Sequence, residues 1–171
     1  MATASAAVSP GAVVVFGADE SAEGLVQCVS GIVADEDRPI VLLTVAVAFY
    51  GDRIRADEVH SQLRCFEETT PLELRADGDP ARLGEIAADW LTRIGGLKVT
   101  CVEWEHEGRV YAGCYVLEEY GAGLVQFYNR ELEPPDQAAR LEAEDHAPNG
   151  WVDVIGIGPP SRLRPVATRM A

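Results

Sequence analysis

The sequence predicts an α+β fold, and three segments carry this prediction. Asp79–Ile94 spaces its apolar side chains three and four positions apart, which is the pattern of an amphipathic helix. Leu97–Asn129 alternates apolar and polar residues around two glycine-containing turns, which is typical of three antiparallel strands. Ile40–Phe49 is apolar on both faces, as a central strand buried on both sides usually is. We therefore expect an antiparallel sheet built on a three-stranded meander (97–129) and packed against the 79–94 helix, with additional N-terminal strands and helices.

Before residue 40 the pattern predicts a disordered start, a strand and a helix. Residues 1–10 are small and polar and are expected to be disordered. Ala12–Phe16 is a short apolar run that predicts a strand. A helix is then expected, with Asp19 or Ser21 as its N-cap, and it would end before Pro39. Its apolar positions are Leu25, Val26, Val29, Ile32 and Val33.

Residues 51–76 carry a mixed signal. The spacing of Val59, Leu63 and Phe66 predicts a helix over Ala56–Glu67, although the same region also suits a strand.

The helix after this segment has clear ends. Asp79 is the expected N-cap, Pro80 takes the first helical position, and Gly95 and Gly96 end the helix. The apolar stripe consists of Leu83, Ile86, Ala87, Trp90, Leu91 and Ile94.

The first turn of the meander sets the expected strand register. Glu107 and Gly108 would be its two central residues, and the glycine supplies the positive φ that a tight turn needs. A slip of one residue would move every side chain of a strand to the other face. The expected cross-strand pairs are Cys101 with Cys114, Val99 with Val116, and Glu103 with Ala112.

This register gives the meander two unlike faces. The expected core face carries Val99, Cys101, Val110, Ala112, Cys114, Val116, Val125 and Phe127, and the other carries Val102, Trp104, Tyr111, Tyr115, Leu117, Leu124 and Tyr128. Such an aromatic face is either covered by another layer, which is the commoner arrangement, or a binding surface. As a binding surface, its candidate residues are Trp104, Tyr111, Tyr115, Gln126 and Tyr128.

The C-terminal part is first acidic and then basic. A short helix is expected from Pro135 to Glu144, and an edge strand over Trp151–Ile157. We expect a single domain over residues 11–158 and a flexible tail over 159–171, or a tail that folds back onto the acidic surface. The arginines of this tail are Arg162, Arg164 and Arg169.

The net charge is the least ordinary bulk property of the chain. It is −14 at pH 7, with a sequence pI near 4.5. Nucleic acids and anionic membrane surfaces are disfavoured as partners because both would add like-charge repulsion, whereas a basic protein is favoured. Salt adaptation is a second explanation of the charge. The use of Arg with a single lysine, Lys98, is typical of a G+C-rich, bacterial genome.

The sequence predicts a cytoplasmic protein. The N-terminus lacks the basic start of a signal peptide, and the longest apolar run, Ile40–Tyr50, is about half of the ~20 residues that a membrane-spanning helix needs. Thiols stay reduced in the cytoplasm, so buried free cysteines are expected, with a Cys101–Cys114 disulfide as the alternative in an exported chain. The four cysteines lack a C-x-x-C spacing, which leaves no zinc or redox motif.

No catalytic, cofactor or metal motif stands out in the sequence. Gly11–Gly17 lacks the ending of a phosphate loop, and the three histidines lack metal-ligand spacing, so we expect no cofactor and no metal. Glu103 is the one weak catalytic candidate, because the expected register places it on the core side with Glu105. Burial there would raise its pKa and make it a general acid or base. The simpler alternative is that both glutamates project into water.

Two functions fit these observations. The first is an acidic, non-enzymatic interaction module that binds a basic protein. It is similar to toxin-immunity proteins and secretion chaperones in architecture alone. The alternative is a small-molecule-binding protein or enzyme with a pocket between the helix and a curved sheet, as in the nuclear-transport-factor-like group. A homodimer is left open.

Overall fold

The computed structural model describes Leu25 and residues 27–60, 65–66, 70–147 and 152–171. In this part of the chain there are nine strands and two α-helices, so the α+β class is confirmed, with more strand than helix. The chain divides into two compact units, and the single domain expected over residues 11–158 stays a prediction. The first unit is Met1–Ile32 with Thr44–Leu91, and the second is Val33–Leu43 with Thr92–Ala171. Neither described helix has the length and apolar character needed to span a bilayer.

The first unit is built on antiparallel strands and one long helix. Its elements are β1 (Gln27–Asp35), β2 (Val41–Phe49), β3 (Arg53–Glu58), β4 (Leu74–Asp77) and α1 (Pro80–Gly95), of which β1, β2 and α1 continue into the second unit. The strands lie in the order β4-β3-β2-β1. β2 corresponds to the apolar run that the sequence assigns to a buried strand, and the side chains of Val45, Ala46, Val47 and Ala48 are 0% exposed.

Two helix predictions are wrong at the residues that the structure describes. The helix expected before Pro39 is β1, and the start of the helix expected over Ala56–Glu67 belongs to β3. The β-branched side chains of Val29, Ile32 and Val33 in β1 favour a strand over a helix. In β3, pairing with strands on both sides outweighs the helical spacing. The predictions for residues 1–10, 12–16, 61–64 and 67 lie outside the described residues.

Helix α1 begins directly after Asp79, which caps its N-terminus. The Asp79 carboxylate accepts hydrogen bonds from the backbone N–H groups of Ala81 and Arg82, both at 3.1 Å, so it caps the first turn. Leu83 and Trp90 of the apolar stripe are buried. The Trp90 indole N–H donates to the carbonyl of Leu72 at 2.9 Å, which satisfies its one polar group within the first unit.

The second unit contains a four-stranded antiparallel sheet in the order β7-β6-β5-β8. Its elements are β5 (Val99–His106), β6 (Arg109–Leu117), β7 (Ala122–Tyr128), α2 (Gln137–Ala143), a 3-10 helix (Val154–Ile157), β8 (Arg162–Val166) and β9 (Thr168–Met170). β9 pairs with the end of β1, with Val33 opposite Met170 and Asp35 opposite Thr168.

Two C-terminal predictions are corrected. The sequence predicts an edge strand over Trp151–Ile157, but its second half is the 3-10 helix, in which the Asp153 carboxylate accepts a hydrogen bond from the Ile155 N–H at 3.1 Å. The sequence predicts a flexible tail over 159–171, but this segment contributes β8 and β9. β8 pairs with the whole first half of β5, which supplies the backbone hydrogen bonds that hold the tail.

The register expected between β5 and β6 holds at the turn and fails beyond it. His106 lies opposite Arg109, as a turn centred on Glu107 and Gly108 requires. A β-bulge beside Glu105 then adds one residue to β6, and the remaining pairs shift by one. The observed pairs are Val99 with Leu117, Cys101 with Tyr115, Val102 with Cys114, Glu103 with Gly113, and Trp104 with Ala112.

This shift overturns the expected division of the meander faces. Cys101 and Cys114 lie on opposite faces of the sheet, because Cys114 is opposite Val102 and neighbouring side chains alternate. All four cysteines are free. Tyr115 joins Cys101 and Glu103 on one face, whereas Trp104 lies on the other with Ala112. The aromatic residues therefore do not form one face.

Candidate functional site

The structure separates Tyr115 from the other four residues of the predicted binding surface. Trp104 and Tyr111 are buried in an apolar cluster, and Tyr128 packs beside them. The Tyr111 and Tyr128 rings meet edge to face at 5.8 Å between centroids. Tyr115 is fully buried on the opposite sheet face, away from Trp104. Gln126 lies near this cluster because its amide contacts the backbone of residues 152 and 154.

The polar groups of these aromatic residues are used inside the second unit. The Trp104 indole N–H donates to the carbonyl of Gly158 at 3.0 Å, and the Tyr128 hydroxyl donates to Glu133. The Tyr115 hydroxyl donates to Asp35 at 2.9 Å. These side chains therefore hold the unit together, which agrees with the covered alternative for an aromatic sheet face.

Glu103 lies at the centre of a group of buried charges. Its side chain is 0% exposed, yet three guanidinium groups contact it. Arg38 Nη2 donates to Oε1 at 2.7 Å, Arg162 Nε donates to Oε2 at 2.5 Å, and Arg164 Nε donates to Oε1 at 3.3 Å. We call Asp35, Arg38, Glu103, Arg162 and Arg164 the arginine cluster, and all five belong to the second unit.

Asp35 is the second buried carboxylate of the arginine cluster. Its Oδ2 atom accepts hydrogen bonds from Arg164 Nη2 at 2.8 Å and from the Tyr115 hydroxyl at 2.9 Å. Its Oδ1 atom accepts from the backbone N–H of Asp37 at 2.9 Å. Arg164 also approaches the exposed Asp37 carboxylate at 3.5 Å. Both oxygens of Asp35 are therefore satisfied.

Strand pairing explains how the arginine cluster forms. Glu103 lies directly opposite Arg162, and Cys101 opposite Arg164, in the β5–β8 pair. Residues two apart on a strand share a face, so both arginines of β8 lie on the face of Glu103. Arg38 comes from the turn between β1 and β2.

The pKa values of both buried carboxylates are lowered. Burial by itself raises the pKa of Glu103, but the hydrogen bond from Arg162 and the charge of Arg38 outweigh burial. Burial also raises the pKa of Asp35, and the hydrogen bond from Arg164 contributes to its net lowering. Glu103 is thus neither a shielded acid of raised pKa nor a solvated side chain, which corrects both alternatives. It stays ionised at neutral pH, which disfavours a role as general acid.

The neighbouring groups that titrate at high pH are protonated at neutral pH. Burial and the hydrogen bond to Asp35 raise the pKa of Tyr115 to about 12. Burial, followed by the charge of Glu103, raises the pKa of the Cys101 thiol to about 11. A protonated, buried thiol is a poor nucleophile.

A small open cavity of about 210 Å³ lies in the second unit beside the arginine cluster. It is lined by Arg38, Ile40, Val110 and Phe127. The Arg38 guanidinium lies over the Phe127 ring, 5.6 Å from its centroid. No helix residue that the structure describes lines this cavity, so it is not the predicted pocket between helix and sheet, which stays a prediction.

The absence of a side chain at Gly113 allows the Phe127 ring to reach the wall of this cavity. Gly113 lies between Glu103 on β5 and Phe127 on β7. A Cβ atom at Gly113 would come within 2.5 Å of two ring carbons of Phe127. The missing side chain therefore lets the ring cross β6 and form the wall below Arg38.

Exposed carboxylates gather at the C-terminal end of α2. Glu142, Glu144 and Asp145 are exposed there. Arg140 pairs with Glu144 at 2.8 Å, and Arg130 approaches Glu142 at 4.0 Å. On the inner side, α2 is held by a buried apolar cluster of Leu141, Ala147 and Val152. We call Glu142, Glu144 and Asp145 the acidic end of α2.

Sequence reasoning missed the partners of Glu103. The available signal was the basic, acid-free C-terminal segment with Arg162 and Arg164 at a spacing of two, which places both side chains on one face of a strand. No comparable signal marks Arg38.

Comparison with protein-family models, curated proteins and solved structures gives no match to this chain. In the described ranges, no group of three or more His, Cys, Asp or Glu side chains is arranged to hold a metal ion.

Proposed function

We propose that this protein is a non-enzymatic interaction module that binds a basic protein. The observation that carries the proposal is the acidic end of α2, in a chain whose net charge is −14. The last carbonyl groups of a helix already carry partial negative charge, so carboxylates at this end have the unfavourable sign. Arg140 and Arg130 offset part of this charge through Glu144 and Glu142, and a cationic partner would add to that compensation.

The arginine cluster occupies three of the 14 cationic residues. They pair with the buried Asp35 and Glu103 and with Asp37 and Glu105, so they do not offset the carboxylates of α2. Clustered surface charge of one sign raises the association rate with an oppositely charged partner and makes binding sensitive to salt.

Buried apolar residues hold α2 in place. They keep its acidic end in a fixed position, which supports binding by a fixed surface. Leu141 is fully buried, and Ala147 and Val152 are largely buried beneath the helix. A fixed set of carboxylates loses less conformational entropy on binding than a mobile acidic segment would. Recognition of a folded basic surface is therefore favoured over loose attraction.

The test uses a fluorescent octa-arginine peptide as the basic probe and follows its anisotropy. The triple variant Glu142→Gln, Glu144→Gln, Asp145→Asn is compared with a control that removes three exposed carboxylates of the first unit, Asp77→Asn, Glu85→Gln, Asp89→Asn. We expect the first variant to bind roughly tenfold more weakly and the control to change binding less than about threefold. Binding of the parent chain should be lost between about 50 mM and about 500 mM salt.

Two results would overturn the proposal. Equal losses in both triple variants would mean that only the net charge attracts the peptide. Absence of binding at low salt would remove the basic partner altogether. Circular dichroism of each variant verifies that the fold is retained.

A further inference from the structure

The strongest unexplained feature of the second unit is the position of Arg38 within the arginine cluster. Arg164 contacts two other carboxylates besides Glu103, and Arg162 has Glu105 at 3.1 Å besides Glu103. Among the residues that the structure describes, Arg38 has Glu103 as its only carboxylate partner, and it shares this partner with the other two arginines. Arg38 is therefore the least compensated cation of the cluster.

Arg38 also retains hydrogen-bonding capacity. A guanidinium carries five N–H donors. In the described part of the chain, Arg38 donates to Glu103 and lies over the face of Phe127. Its side chain is 27% exposed, so solvent reaches it.

The cavity beside Arg38 adds an apolar wall to this cationic group. Ile40, Val110 and Phe127 provide the other lining side chains, and none of them carries a polar group. A cavity of about 210 Å³ is smaller than the roughly 300–1,000 Å³ of sites for drug-sized ligands. Its size and lining suit a small ligand with one anionic end and an apolar body.

The neighbours of Arg38 hold its guanidinium in one orientation, which favours ligand binding. Glu103 is itself fixed by two arginines of β8, and the Phe127 ring lies below the guanidinium. A guanidinium that is already oriented loses little rotamer entropy when it binds a carboxylate, and its planar donors match the two carboxylate oxygens.

From these observations we propose that the Arg38 cavity binds a small organic monocarboxylate with a flat or branched apolar body. The carboxylate pairs with Arg38, and the apolar body lies against Ile40, Val110 and Phe127. This site is independent of the acidic end of α2 and of any protein partner.

Benzoate is the probe, and its affinity is measured by ligand-observed NMR and by chemical-shift titration of the labelled protein. Benzamide has the same ring without the charge, and acetate has the charge without the ring. We expect both to bind at least about tenfold more weakly than benzoate, because each lacks one half of the recognition.

Two variants test the two parts of the site, the cation and the cavity. Arg38→Gln removes the cation, and Val110→Phe fills the cavity without changing the arginine cluster. Each should weaken benzoate binding at least about tenfold, whereas Arg169→Gln, which removes an exposed arginine of β9, should leave it unchanged. If Arg38→Gln does not fold, Val110→Phe decides the outcome.

The proposal is overturned if benzoate does not bind the parent chain, if Val110→Phe binds it as well as the parent does, or if benzamide binds equally well. Loss of octa-arginine binding with intact benzoate binding would remove the partner proposal and leave this one standing.

Discussion

Glu103 is a fully buried carboxylate that joins three arginines of the second unit. An unpaired carboxylate in a protein interior costs several kcal/mol of desolvation, which a buried ion pair offsets only with good geometry and satisfied hydrogen bonds. Glu103 meets this condition through Arg38, Arg162 and Arg164. Removing its charge would leave three neighbouring guanidinium groups without their shared counter-ion.

The first prediction concerns this charge. Glu103→Gln should lower the free energy of unfolding by about 3–5 kcal/mol, as expected when one partner of a buried ion pair is removed. Glu85→Gln is the matched control, because Glu85 forms an exposed pair with Arg82 at 2.8 Å. It should cost less than about 0.5 kcal/mol. Urea denaturation followed by tryptophan fluorescence measures both, and similar losses would contradict the central role of Glu103.

At the scale of elements, the bulge between β5 and β6 decides which side chains meet. The turn at Glu107 and Gly108 sets the register for two residue pairs, and the bulge beside Glu105 then changes it. Because side chains alternate along a strand, one extra residue moves Tyr115 to the face of Glu103. The Tyr115–Asp35 hydrogen bond therefore depends on this irregularity.

The second prediction tests this register with a disulfide. Val102→Cys introduces a thiol directly opposite Cys114, and mild oxidation should link the two. In the parent chain Cys101 and Cys114 should remain unlinked, because they lie on opposite faces of the sheet. Peptide mass spectrometry after alkylation identifies the link. Efficient formation of a Cys101–Cys114 disulfide would contradict the observed register and support the one expected from the turn alone.

At the scale of the whole molecule, two electrostatic effects oppose each other as the pH falls. Self-repulsion at the net charge of −14 decreases as the pH approaches the pI near 4.5, which stabilises the folded chain. The lowered pKa values of Asp35 and Glu103 act in the opposite sense. Their stabilisation is fully present above the pKa values of the unfolded chain, about 3.9 for Asp and about 4.3 for Glu, and is lost as the pH falls through the folded-state values.

The third prediction follows from this balance. Stability should rise slightly or stay level from pH 7 to about 5 and fall steeply below about 4, where the unfolded chain takes up protons before the arginine cluster does. In Glu103→Gln the fall at low pH should be shallower, since one of the two lowered carboxyl groups is gone. Thermal unfolding followed between pH 3 and pH 8 gives both curves. A steady fall from pH 7 to pH 5 would contradict the prediction.

The parts of this protein that the sequence determined by itself have local causes. The Asp79 cap and the apolar stripe define α1, Glu107 and Gly108 define a turn, and the apolar run of β2 defines a buried strand. Each of these elements depends on residues within a few positions of one another, so the sequence predicts it without knowledge of the fold. The acidity of the chain is likewise a property of composition.

Tertiary structure alone decided the arginine cluster and the assignment of the sheet faces. Arg38 and Arg162 lie 65 and 59 positions from Glu103 along the chain, and no local pattern links residues so far apart. β3 became a strand because the strands on both sides satisfy its backbone groups, which the helical spacing of its residues does not anticipate. The energy of a buried charge depends on which partners the fold brings to it, and for Glu103 the pairing of β5 with β8 brings them.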